Sequence, residues 1–428
     1  MNRVSRTLRA LLLALGGISA AWISIGNITG DKPLAANVPS ALGLEPALPV
    51  AKVPDEVPVA EPTKASGPPP LLIGDHSLRG EIDLSKARLE DDRYVVDLAN
   101  GDKAVLTLDP ILQKAAIRTL ARSHAPEAAI VVMSIDGRLL AFAGHRENSG
   151  KPAFDLAASV WAPAASVFKV VTAAALVDAG VKPTTKTCYH GGFRSITKDH
   201  LVDDPKRDGN CETLEFALAK SQNAIIAKLA HKYLKPEALR ETAKRFGFDT
   251  APDFALDCEP NRANIPDTAL EFAQVAAGFW STELSPLGGA LIANTVASEG
   301  LMVTPRLVAE VVDKAGSSRQ VVGRAPTRAI SVDAARSLAK MLAKTTEMGT
   351  AYKGFHDKNG RKYLGDVAVA GKTGSLSRST PSYRAYSWFI GFAPVDDPQV
   401  SISVLLGNSQ KWHLKAHTAA RLVLDEKF

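Results

Sequence analysis

The placement of strand-forming runs constrains this chain more than any other feature. Ala129 to Ile135 and Arg138 to Ala143 are apolar runs joined by Asp136-Gly137, a two-residue turn signal that predicts a hairpin. About 220 residues of helix and loop pattern follow, and strands return only near the end, at Val367 to Ala370, Tyr386 to Ala393 and Val400 to Leu406. A sheet made of these pieces pairs both ends of the domain. The expected fold class is α/β: a mainly antiparallel five-stranded sheet packed by helices, with a large helical insertion between its second and third strands and a cleft where insertion and sheet meet. A helix is expected to start at Asp109-Pro110, since Asp caps and Pro fits the first turn, and to run through Ile111 to Ala121.

Upstream, Ala10 to Ile28 is a 19-residue run without a charged side chain. As a helix it just crosses ~30 Å of hydrocarbon. Arg3, Arg6 and Arg9 precede it, so residues 1–30 are expected to be a membrane anchor with everything after Gly30 outside the cytoplasmic membrane. A cleaved signal peptide is the other reading, with Leu34-Ala35-Ala36 as a weak cleavage site. Those three arginines supply half of the net charge of +6, so the rest of the chain gives no support to a nucleic-acid partner. Residues 31–70, rich in Pro and Ala and including Pro68-Pro69-Pro70, read as an extended linker. Residues 71–104 read as a small β-rich lead-in with an Asn100-Gly101 turn, and 105–428 as the main domain.

Export permits disulfides, and among three cysteines Cys188 and Cys211, 23 positions apart in a Gly-, Lys- and Asp-rich segment, are the expected pair. Cys258 is then an inert buried thiol. No cysteine spacing resembles a zinc site and the nine histidines are scattered, so neither a metal nor a cofactor is expected.

Ser166-Val167-Phe168-Lys169 opens an apolar helix that ends at Gly180, and i to i+3 spacing puts hydroxyl and amine on one face. A serine nucleophile needs a base within hydrogen-bond reach, and lysine serves if burial or a second cation makes it neutral. S-x-x-K alone is weak, since it recurs at Ser195 to Lys198 and Ser337 to Lys340. Ser221-Gln222-Asn223, inside the helical pattern Leu214 to Leu229, is the chain's only S-x-N, and Lys372-Thr373-Gly374-Ser375, after the strand Val367 to Ala370, holds its only K-T-G. Each also has a plain structural reading, a solvated helix turn for the first and a strand ending in a turn for the second.

Together and in this order the three motifs resemble those of the penicillin-binding serine acyltransferases, over about three quarters of the chain. Leu106 to Ala115, Ser285 to Arg306, Met348-Gly349-Thr350-Ala351 and Gly391 to Pro394 are similar to further stretches of that family. Ala164-Ala165 departs from its usual Pro-Gly, and the roughly 35 residues of lead-in are too few for a glycosyltransferase domain or a large pedestal.

The resemblance implies a monofunctional peptidoglycan D,D-transpeptidase of the penicillin-binding, β-lactamase-like fold, with stem peptides and β-lactams as partners and a cell-wall synthesis complex as a further partner. Ser166 would form the acyl-enzyme, Lys169 would be the acylation base, and Ser221 with Lys372 would relay the proton to the leaving amine. Asn223 would hold the substrate amide, Thr373 and Ser375 its carboxylate, with Gly374 leaving room for it. The backbone N–H groups of Ser166 and Ser375 would form the oxyanion hole. A D,D-carboxypeptidase or endopeptidase uses the same residues with water as acceptor. A β-lactamase needs a water-activating group that these motifs do not supply, and a non-enzymatic sensor or scaffold has no need of the intact set.

Overall fold

The computed structural model describes residues 72–147, 149–380 and 382–428. The expected anchor and linker lie outside them; among the described residues no helix is long and apolar enough to cross a membrane.

The hairpin forms as β1 (Glu127–Ser134) and β2 (Leu139–Arg146), with β3 (Ala370–Arg378), β4 (Arg384–Ala393) and β5 (Val400–Asn408) completing the sheet. The order is β3-β4-β5-β1-β2, antiparallel throughout, so the last strand lies at the centre between the two ends of the chain. Both faces are covered. Ala129, Val131 and Met133 of β1 join one core cluster and Ala128, Ile130 and Val132 another, which is why the strand reads as an unbroken apolar run. One cluster includes side chains of α1 (Pro110–Ser123); all twelve residues of a later helix, Pro286–Ala297, are buried and its Leu287, Ala290 and Leu291 join the other. Helix α1 starts as its sequence dictates, Asp109 accepting the N–H groups of Ile111 and Leu112 at 2.9 Å with Pro110 in the first turn.

The sheet corrects two expectations. Val367 turns back, its N–H donating to Leu364 O at 3.1 Å, and the strand starts at Ala370, so the K-T-G residues lie on β3 rather than after it. Polar residues on an edge strand facing a cleft hide the alternation that marks a strand. The second concerns the long insertion, where Val308–Val312 and Ser318–Val322 are strands within a stretch read as helix and loop. They pair with the lead-in: Ile73–Gly74, Arg88–Glu90, Arg93–Asp97 and Lys103–Leu106 join them in one six-stranded sheet. The 104/105 boundary therefore falls inside a strand.

Asp75 joins the lead-in to the rest. It is 1% exposed, and its carboxylate accepts the N–H groups of Ala255, Leu307 and Val308 at 2.7, 3.1 and 2.9 Å. Burial nonetheless raises its pKa above the ordinary value. Asp75→Ala leaves three buried donors unpaired, each costing about 1–3 kcal/mol, and is expected to destabilise by at least ~3 kcal/mol in urea unfolding. A change under 1 kcal/mol would show that water replaces the carboxylate.

Candidate active site

The candidate nucleophile Ser166 sits on a tight turn, not on the helix itself. Ala165–Val167 form a single 3-10 turn and α2 (Lys169–Asp178) follows, with Ser166 Oγ 2.6 Å from Lys169 Nζ. Ala165 is left-handed at φ 51°, a conformation that costs a side chain ~1–2 kcal/mol and suits glycine. That explains the strain hidden in the Ala164-Ala165 departure. The turn is held by Ala164 N–H donating to Thr282 O at 2.9 Å and by the Trp388 indole donating to Pro163 O at 2.9 Å. Gly278 lets it pack closely, because a Cβ there would stand 2.5 Å from Ala165 O.

The expected helix Leu214 to Leu229 is broken. It forms as α3 (Leu214–Lys220) and α4 (Asn223–Tyr233), with Ser221 left-handed at φ 58° between them. Its hydroxyl is thereby turned from the helix ladder into the cleft, 2.9 Å from Lys372 Nζ and 3.5 Å from Lys169 Nζ. The Asn223 amide is held at both ends: Oδ1 accepts from Lys169 at 2.6 Å and Nδ2 donates to Phe193 O at 2.7 Å. Thr373 Oγ1 lies 2.5 Å from Thr350 Oγ1.

Gly374 also serves packing. A Cβ there would meet Trp388 Cβ and Val167 Cγ2 at 3.2 Å, so the missing side chain lets β3 lie against the nucleophile turn. Ser375 is exposed on the same strand. The two competing S-x-x-K serines are not in this cluster, and Lys198 and Lys340 are exposed.

Both amines are fully buried. Burial pushes Lys372 down to about 7. Burial first, then the nearby Lys372 ammonium, holds Lys169 well below the ordinary lysine range. A neutral amine against a serine hydroxyl can take its proton, and a second hydroxyl between the two amines can pass one on.

The expected disulfide is present and staples the adjoining loop. Cys188 and Cys211 are direct partners on the antiparallel strands Lys186–Tyr189 and Asn210–Thr213, and the loop they close carries Phe193. Loop closure of this size contributes about 3 kcal/mol, so Cys188→Ser/Cys211→Ser is expected to lower stability by that amount in oxidising buffer and by nothing under reductant. Cys258 is half-buried, its thiol pushed up to about 11 by burial, in keeping with an unreactive role. Sequence reasoning assigned no role to Thr350, Gly278 or the Phe193 carbonyl. The last is a backbone group and leaves no mark in residue type.

A serine, two amines held below their ordinary pKa and a bridging hydroxyl form a set whose chemistry suits acyl transfer to the serine. Residues 128–424 match the family described as the penicillin binding protein transpeptidase domain, and the chain belongs to that family. Among curated proteins it is 26% identical over 71% of its length to peptidoglycan D,D-transpeptidase PbpA of Mycolicibacterium smegmatis, covering 61% of that protein. To PbpA of Mycobacterium tuberculosis it is 29% identical over 71% of its length, covering 62%. The chain thus spans about three fifths of these relatives. The imipenem acyl-enzyme of M. tuberculosis penicillin-binding protein A superposes with a TM-score of 0.65 at 24% identity, over 76% of this chain and 80% of that one. Penicillin-binding protein 3 of M. tuberculosis with aztreonam gives 0.63 at 21% identity, over 77% and 79%. These likenesses establish the shared fold.

Proposed function

We propose that the chain is a peptidoglycan D,D-transpeptidase acting through an acyl-enzyme on Ser166, and that β-lactams acylate the same hydroxyl. The observation that carries this reading is the continuous path Ser166–Lys169–Ser221–Lys372, with contacts of 2.6, 3.5 and 2.9 Å. Lys169 takes the Ser166 proton as Oγ attacks the carbonyl between the last two D-alanines of a stem peptide. Ser221 and Lys372 return a proton to the leaving amine, so D-alanine departs neutral at nitrogen. Asn223 has one amide N–H left for the substrate, while the hydroxyls of Thr373 and Ser375 lie along β3 for its carboxylate. The N–H groups of Ser166 and Ser375 serve the oxyanion. An acceptor amine then attacks the ester. The D,D-transpeptidase activity of PbpA and the imipenem acyl-enzyme of M. tuberculosis penicillin-binding protein A support the reading. Residues 1–30 are proposed to anchor the domain outside the cytoplasmic membrane, within reach of the wall and its synthetic complex.

The test is labelling with fluorescent penicillin, mapping of the adduct by mass spectrometry, and product analysis on stem-peptide donors and acceptors. The label is expected on Ser166 and to persist for many minutes after free drug is removed. Adduct on Ser195 or Ser337 would overturn the assignment, release within seconds would make it a β-lactamase, and free tetrapeptide as the only product a carboxypeptidase.

A further inference from the structure

Behind the Thr350–Thr373 contact lies a cavity of about 630 Å³, lined by Lys220, Glu347, Tyr352, Lys353, Lys415 and His417 among others. That volume is within the roughly 300–1,000 Å³ of small-molecule sites. Three ammonium groups face one carboxylate here, and none of Lys220, Lys353 or Lys415 forms an ion pair among the described residues. Lys220 instead donates to Met348 O, which fixes its ammonium over the opening. His417 is 8% exposed, lines the cavity, and its ring makes no hydrogen bond among the described residues. Lys415 is the N-cap of the helix Ala416–Leu424, whose positive dipole end adds to the field.

Nothing in the acylation chemistry uses these groups. The Ser166–Lys169–Ser221–Lys372 path and the β3 hydroxyls already account for the donor. Aminolysis of the ester is the reverse of acylation, so the attacking amine enters where D-alanine leaves. On this reading Thr373 stands on that side, its hydroxyl meets Thr350, and Thr350 also lines the cavity. An acceptor stem is larger than the D-alanine it replaces and carries a further carboxylate at its C-terminus.

We propose that this basic cavity is the acceptor subsite, in which Lys353, Lys415 and Lys220 hold the C-terminal carboxylate of the acceptor stem while its amine faces the Ser166 ester. The inference rests on the transpeptidase reading. In the transfer step the amine nitrogen forms an amide bond to the ester carbon, the carbon–oxygen bond to Ser166 breaks, and the proton lost by nitrogen returns to Ser166 Oγ through Lys169. The lysines act as point charges on a flexible stem, matching an acceptor that must approach and leave.

The experiment partitions the acyl-enzyme between water and an amine. A D-alanyl thioester donor is given to the protein with an N-acetylated stem peptide bearing a free side-chain amine, supplied either as the C-terminal acid or as the C-terminal amide. Wild type is expected to favour transfer over hydrolysis more strongly with the acid. In Lys353→Gln/Lys415→Gln, both exposed positions, the transfer-to-hydrolysis ratio with the acid is expected to fall about five- to tenfold to the level of the amide. The ratio with the amide should stay within twofold. Equal use of acid and amide by wild type, or an unchanged ratio in the variant, overturns the subsite. Failure of wild type to acylate Ser166 at all would instead overturn the transpeptidase reading, so the two outcomes are distinct.

Discussion

Lys169→Met is expected to slow acylation of Ser166 by about two to four orders of magnitude, the range over which a positioned base contributes. Methionine fills the volume of a side chain that is wholly enclosed, and it removes an amine whose burial is itself unfavourable, so the fold should be kept or gain stability. The Ser166 hydroxyl then has no proton acceptor at 2.6 Å, and Ser221 has its closer contact with Lys372. The measurement is the second-order rate of labelling by fluorescent penicillin beside a thermal melt. A rate within tenfold of wild type in a normally melting protein would mean that another group takes the proton.

Stability should climb with pH between 7 and 10, opposite to the behaviour of a salt-bridged lysine. Lys372 binds its proton with a pKa of about 7 when folded against an ordinary 10.5. Across that window the unfolded chain holds a proton that the folded chain has lost, so ΔG of unfolding rises with pH and levels off near 10.5. A shift of this size corresponds to roughly 3–5 kcal/mol. Lys169, depressed in the same direction, adds to the slope. Urea unfolding of wild type and Lys372→Met at pH 7 and 10 isolates the term: the variant should be the more stable at pH 7, and the gap should narrow by pH 10. A gap independent of pH would show that the Lys372 ammonium stays charged in its enclosed position.

Much of this architecture was legible because it depends on local chemistry. Asp109-Pro110 caps and starts a helix by its own side chain and ring, and Asp136-Gly137 turns a hairpin with no outside help. The residues that the structure brings together around Ser166 were picked out by their order along the chain, and the pairing of Cys188 with Cys211 by composition and spacing. What escaped is set by tertiary contact. Nothing in Leu214 to Leu229 marks the break at Ser221, since the left-handed turn follows from its place between Lys372 and Lys169. Val308–Val312 pairs with its neighbour Ser318–Val322 and also with the lead-in some 200 residues away, and the second pairing leaves no mark in the local sequence. The packing of Gly374 against the Val167 turn left no mark in the sequence either. The basic cavity was invisible because Lys220, Lys353 and Lys415 come from three separate segments.

The position of β5 has a consequence for how the chain becomes a protein at all. Val400–Asn408 bridges Arg384–Ala393 to Glu127–Ser134, pairing residues such as Val404 and Ile130 across more than half the sequence. Until β5 is available, the hairpin formed earlier in synthesis has an open edge and the enclosed lysines have no enclosure. Folding must wait for β5, and contacts this distant in sequence close slowly. A nascent or prematurely terminated polypeptide lacking β5 therefore presents an unpaired apolar strand edge to quality-control proteases and other chains. Assembly of the two buried amines is coupled in this way to synthesis of β5.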